Sequence, residues 1–221
     1  KYLRSKLHYY KDNNRENRKV GESISNLIDD LCNREKKTYP NILNNNPSLS
    51  LLLNKNISLV SNFIHIHYKE YIFSKNGWST DDFIDLLNSF KDLNYKVIFT
   101  SDLGNFSYHN KFLSKFSFLN FDNKVSNLNV KSKIHYFHNI NTQDLFKLID
   151  LSSVVIAPHG AMSVLASYLN KAVIDIFDTN VKSNSFHEFK PLNYNYKFLI
   201  LNIDKNKVKN KILNYLSEIK F

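Results

Sequence analysis

The sequence predicts an α/β domain built on a doubly wound parallel sheet. Three observations carry that prediction. From Leu59 onward, short apolar runs alternate with helical patterns about five times. The runs are apolar at successive positions, as in strands buried on both faces by covering helices. The helical patterns are headed by Ser, Thr, Asn or Asp, the residues that accept hydrogen bonds from the unpaired amides of a helix start.

Phe63-Ile64-His65-Ile66 is the first strand, and the segment running on from His65 to Trp78 reads as strand end and loop. Ser79-Thr80-Asp81-Asp82 caps a helix with Phe83, Leu86, Leu87 and Phe90 on its apolar side. Val97-Ile98-Phe99 is the second strand, and a weaker helical pattern covers 105–116. Ile134 to Phe137 forms a strand, followed by a helix capped at Asn141 or Thr142 with Leu145, Leu148 and Ile149 inside. Val154-Val155-Ile156 runs into His159-Gly160-Ala161, then a helix to Leu169 and a strand from Ala172 to Phe177. Phe198-Leu199-Ile200 is the last strand, and Asp204 caps a terminal helix carrying Val208, Ile212, Leu213 and Leu216. Right-handed crossovers between such strands give a Rossmann-like topology.

The first part of the chain differs. Residues 1–58 are polar and charged; they hold one amphipathic helix pattern through Val20, Ile24, Leu27, Ile28 and Leu31, and an Asn/Pro/Ser-rich linker over 41–50. The reading is therefore two parts, 1–58 as a remnant of an upstream domain plus linker, and 59–221 as the α/β domain.

Composition narrows the function classes. At 221 residues and 43% hydrophobic content the chain supports one sizeable core. No stretch approaches the roughly 20 apolar residues of a membrane span. Cys32 is the single cysteine, which rules out an intrachain disulfide and fits a reducing cytoplasm. The net charge of +10 raises a nucleic-acid partner. The lysines, however, are scattered among asparagines and tyrosines, with no basic run denser than Arg34-Glu35-Lys36-Lys37, so nucleic acid is not expected. A basic surface also suits anionic nucleotides or lipid headgroups.

In an open parallel sheet, ligands sit beyond the carboxyl ends of the strands. Three such ends draw attention. The turn through His159, Gly160, Ala161, Met162 and Ser163 joins a glycine to a helix start, whose unpaired amides suit a phosphate; a plain tight turn is the alternative. Lys75 and Trp78 follow the first strand, and a lysine there can neutralise a phosphate, or be an ordinary solvated lysine. Asp178 and Thr179 follow a third strand and offer ribose or phosphate contacts, or an Asx turn. His65 and His67 have metal-like spacing but lack Cys or carboxylate partners, so bonded sheet histidines are the reading. His187 to Pro191 reads as a connector. The G-x-S-x-G elbow of hydrolases is absent.

These segments, in this order, resemble glycosyltransferase family 9, the heptosyltransferase-like enzymes, over about Leu59 to Phe221. Ile64-His65-Ile66-His67 followed by Lys75-Asn76-Gly77-Trp78 resembles the family's strand and K-x-W element. Thr142-Gln143-Asp144-Leu145-Phe146-Lys147-Leu148-Ile149 resembles T-x-x-E-L-x-x-L-I. The run from Ala166 to Thr179 resembles A-x-x-L-x-x-P-V-x-x-[LI]-[FY]-G-x-T and is the most specific match. Pro158-His159 stand where the family has Asp-Ser or Asp-Thr, Ser163 stands for a histidine, and two residues rather than one separate Lys75 from Trp78. Pro158-His159-Gly160-Ala161 is similar also to other transferases of the same GT-B fold, which act on glycans with fucose or xylose.

The resemblance implies the C-terminal, donor-binding half of a GT-B fold, with Lys75 as the catalytic cation. His159, Gly160, Ala161, Met162, Ser163, Asp178 and Thr179 are the implied substrate contacts. It implies a nucleotide diphosphate sugar as donor, a glycan or lipid-linked acceptor of lipopolysaccharide type, no separate cofactor and no metal. The setting implied is the cytoplasm, with peripheral association at the inner membrane face as a variant. The general base is expected in an upstream domain, so this chain alone is expected to bind but not turn over. A non-catalytic binding domain of the same fold is the alternative, and a basic nucleic-acid-binding α/β domain a weaker one.

Overall fold

A computed structural model describes residues 63–103, 106–121, 126–127, 129, 131–178, 195–202 and 204–219. The amphipathic pattern of Val20 to Leu31, the linker, Cys32, Thr179 and the connector from His187 lie outside them.

The chain order is β1 (Phe63–Tyr68), α1 (Glu70–Lys75), α2 (Thr80–Asn88), β2 (Lys96–Ser101), α3 (Ser107–Lys115), β3 (Ser117–Asn120) and β4 (Ser126–Asn127). There follow β5 (Ile134–His138), α4 (Thr142–Leu151), β6 (Val154–Pro158), α5 (Ala161–Tyr168), β7 (Ala172–Phe177), β8 (Tyr196–Ile200) and α6 (Lys205–Glu218). The strands form one eight-stranded sheet, ordered β4-β3-β5-β2-β1-β6-β7-β8. Every pairing is parallel except β3 with β4. Setting β3 and β4 aside, the order β5-β2-β1-β6-β7-β8 is the doubly wound one, and the chain reverses direction across the sheet between β1 and β6. This is the α/β architecture the sequence predicts.

Alternation along the strands divides the core into two faces. Ile64, Ile66, Tyr68, Val97, Phe99, Ile156, Ile174 and Leu199 pack on one face with Phe83 and Leu87 of α2, Phe112 of α3 and Val208 and Ile212 of α6. On the other, Phe63, Ile98 and Phe137 meet Leu148 of α4, while Val155, Ala157 and Val173 meet Ala166 of α5. The first face is dominated by rings. Phe83 lies within 6.1 Å, centroid to centroid, of Tyr68, Phe73, Phe99 and Phe112. Aromatic pairs in tilted and edge-on arrangements add to their burial.

Local chemistry starts the helices where the sequence places them. Ser79 caps α2 in a reciprocal box with Asp82. Asn141 accepts from the Asp144 amide at the head of α4, and Asp204 from the Lys207 amide at the head of α6. Two expectations need correction. The stretch after β1 is not all loop, because 70–75 coils into α1. The sheet also gains β3 and β4, which no periodicity announces. Trp78 then ties the start of α2 to the end of β8, its indole N–H donating to the Asn202 carbonyl at 2.8 Å.

Candidate functional site

The reversal between β1 and β6 opens a crevice where neighbouring crossovers diverge to opposite faces. At its centre is the end of β6. His159 N–H still donates to the Ile176 carbonyl at 2.8 Å, and the chain then breaks away at Gly160 with φ 151° and ψ −153°. That conformation is almost closed to residues with a β-carbon. Apart from its two chain neighbours, no atom of another described residue lies within 4 Å of where a β-carbon would stand, so the approach to this turn is open. α5 begins at once, and the amides of Ala161, Met162 and Ser163 head it without intrahelical acceptors. Such a terminus carries partial positive charge and attracts anions.

The Ser163 hydroxyl is engaged within the turn. Its side chain is fully buried, and its hydroxyl accepts from the Gly160 amide at 3.2 Å and donates to the Gly160 carbonyl at 3.0 Å. It wires the turn shut from inside. Its backbone amide still faces the helix start.

Lys75 ends α1, and its ammonium donates to Asp178 Oδ2 at 2.5 Å. The two expected ligand contacts are therefore joined to each other, bridging from α1 to the end of β7. The hydrogen bond to Asp178 holds the Lys75 ammonium above its ordinary pKa.

Three residues absent from the expected set complete this corner. Asp175, in the middle of β7, is fully buried. Its Oδ2 lies 2.7 Å from His159 Nδ1 and accepts from the Tyr196 hydroxyl, also at 2.7 Å. The His159 ring stacks on Phe177, with centroids 4.4 Å apart and 17° between planes. Burial, then the charge of Asp175, pushes the Tyr196 phenol far above its usual pKa, so it stays a donor. A lone acid inside Val173-Ile174-Asp175-Ile176-Phe177 was the available signal, because a carboxylate in a doubly covered strand requires bonded partners.

On the other side of the crevice, His65 Nε2 and His67 Nδ1 both bond Thr100 Oγ1, at 2.9 and 3.0 Å. His67 Nε2 stands 3.6 Å from Asp102. Burial, with a smaller push from His67, lowers the His65 pKa to about 3 and keeps it neutral. Among the described residues no group of three or more His, Cys, Asp or Glu is placed to hold a metal ion. A groove of about 610 Å3 also runs along the seam of α2 and α6, lined by Asp82, Asp85, Asp92, Lys205 and Lys209. None of the strand-end residues above lines it, so the crevice has the better chemistry. No helix among the described residues is long and apolar enough to cross a membrane.

Solved structures repeat this architecture. The E. coli ADP-heptose lipopolysaccharide heptosyltransferase II superposes with a TM-score of 0.54 at 14% identity, covering 77% of this chain and 51% of that one. The described domain has the fold of half a heptosyltransferase. A second E. coli heptosyltransferase, solved with ADP, gives a TM-score of 0.50 at 10% identity over 76% of this chain and 48% of that one. A family 9 glycosyl transferase from Veillonella parvula DSM 2008 gives 0.50 at 9% identity, with 74% and 42% covered. The chain thus spans about half the length of the solved structures it matches. By sequence, no protein-family model and no curated protein matches it.

Proposed function

We propose that this chain is the C-terminal, donor-binding half of a glycosyltransferase that takes its sugar from a nucleotide diphosphate sugar. The observation that carries the reading is the open turn at Gly160. It lies at the reversal point of the sheet, heads a helix with three unpaired amides, and leaves room for a ligand to approach the backbone.

In the transfer, an acceptor hydroxyl oxygen attacks the anomeric carbon while the carbon–oxygen bond to the diphosphate breaks. The configuration inverts, and negative charge grows on the departing diphosphate. The amides of Ala161, Met162 and Ser163 are the fixed donors for that charge, the Gly160 amide being held by the Ser163 hydroxyl, and Lys75 offsets the remainder once its contact with Asp178 is shared or released. His159 adds a contact to phosphate or sugar, Asp178 to a ribose hydroxyl, and Thr179 to ribose or phosphate. Neither a cofactor nor a metal is required, because amides and lysine neutralise the leaving group. The base that takes the acceptor proton belongs to an upstream acceptor domain, of which residues 1–58 are the remnant. The isolated chain then binds donor without turnover. The acceptor is a cell-surface glycan or a lipopolysaccharide-type molecule, and the work is done in the cytoplasm, with the inner face of the membrane as a variant of that setting.

Titration calorimetry with ADP, UDP, GDP and CMP carriers tests the reading. Binding of one carrier, abolished by Gly160→Trp, is expected. Failure of the full-length protein to bind any of them would overturn it. A non-catalytic domain of the same fold is the second reading, favoured by the Lys75–Asp178 pair, which neutralises the principal cation within the protein. Donor binding without transfer by the full-length protein would establish it.

A further inference from the structure

The polar cluster at the end of β6 contains a buried acid that donor binding as set out above does not use. Asp175 is fully buried, and both of its hydrogen bonds converge on Oδ2. Its Oδ1 is buried with no partner among the described residues. A carboxylate kept in the interior with one oxygen unsatisfied costs stability, and an apolar residue would fill a doubly covered strand more cheaply. What the acid does secure is the ring of His159. A carboxylate oxygen only accepts, so Nδ1 is the protonated nitrogen of the ring. The Phe177 stack fixes the ring plane, and the Tyr196 hydroxyl, on the neighbouring strand, fixes the carboxylate.

From this geometry we infer that Asp175, braced by Tyr196, is the positioning residue that sets the tautomer and orientation of His159 at the head of α5, so that the ring meets a ligand through Nε2. This places four residues from three neighbouring strands and the turn after β6, His159, Asp175, Phe177 and Tyr196, in one unit. The ligand part rests on the donor-site reading above; the tautomer part does not.

The test uses the full 221-residue chain labelled with 15N-histidine, with His159 assigned by the resonance missing from His159→Asn. Long-range 1H–15N spectra report which ring nitrogen bears the proton. The expected result is an Nδ1-protonated ring in the wild type and loss of that state in Asp175→Asn. A wild-type ring protonated on Nε2 alone, or a His159 signal unchanged in a folded Asp175→Asn, overturns the inference. Should Asp175→Asn fail to fold, Tyr196→Phe answers instead. Removing one of two donors to Oδ2 strengthens the bond that remains and moves the Nδ1 proton downfield, whereas an unmoved proton overturns the inference.

Affinity for ADP and UDP is measured alongside. His159→Asn retains a donor where Nδ1 stands and loses Nε2. Weakening by about tenfold in both His159→Asn and Asp175→Asn is the expected result, the scale of one charge-assisted hydrogen bond. Unchanged affinity in His159→Asn overturns the ligand role of Nε2. If the wild type binds neither nucleotide while the tautomer result holds, the donor-site reading fails for these carriers and the positioning role of Asp175 stands.

Discussion

Replacing Gly160 with alanine tests the turn on which the donor site depends. The magnitude follows from two observations. The backbone at φ 151° and ψ −153° lies where residues with a β-carbon pay about 1–3 kcal/mol. The added methyl meets no atom of the described residues within 4 Å outside its chain neighbours, so none of them adds a steric term to the torsional one. Alanine also restricts the unfolded chain, which returns about 0.4–1 kcal/mol to the folded state. The net loss is then about 1–2 kcal/mol, read as a lower urea midpoint at unchanged slope. The same methyl projects into the space a diphosphate would occupy, so nucleotide affinity should fall more than stability does. A variant as stable as the wild type and equally able to bind would refute both the strain assigned to this turn and its place in the site.

Three further outcomes follow from the same geometry. Asp178→Asn should tighten nucleotide diphosphate binding by releasing Lys75, and Lys75→Ala should weaken it, with the difference shrinking in high salt; equal affinities in calorimetry would separate the pair from the site. Acid should destabilise the fold. Burial lowers the pKa of His65 to about 3 and, helped by Lys96, that of His135 to about 4, so below the unfolded value near 6.5 the unfolded chain binds more protons than the native one, and stability falls as pH drops from about 6.5 toward 4. The two together amount to roughly 4 kcal/mol between pH 7 and 5, with His65→Gln flattening the slope in urea titrations at each pH. Phe83→Ala, which empties the centre of the ring cluster, should cost about 3–5 kcal/mol by chemical denaturation, and a loss below about 1 kcal/mol would show that the cluster repacks.

Much of the fold is legible in the residues because its signals are local. Ser79, Asn141 and Asp204 cap the helices they stand before, since a short polar side chain reaches an amide three residues on whatever the tertiary context. The buried parallel strands show as apolar runs for a similar reason. α1 escapes notice because six residues give less than two turns of periodicity and Lys69 supplies no side-chain cap. β3 and β4 escape because their pairing partners, not their own composition, make them strands. At the site, the turn at Gly160 is visible as a glycine after an apolar run, whereas the contact of Lys75 with Asp178 joins residues 103 apart in the chain. Asp175 and Tyr196 belong to the same class, although the acid set among four apolar neighbours is itself a signal that an interior partner must exist.

The far edge of the sheet has a consequence for the protein in a crowded solution. Parallel strands stacked this deeply would otherwise end on β3, a row of unpaired amides and carbonyls ready to accept a strand from another molecule. Instead the chain doubles back as β4, antiparallel and two residues long, with Ser126 and Asn127 both exposed. A stranger adding here finds a template too short and too polar to hold it, so sheet-to-sheet polymerisation has no foothold on this side. Deleting that stub while keeping β3 should leave the domain folded yet prone to concentration-dependent fibril growth, detectable by thioflavin fluorescence.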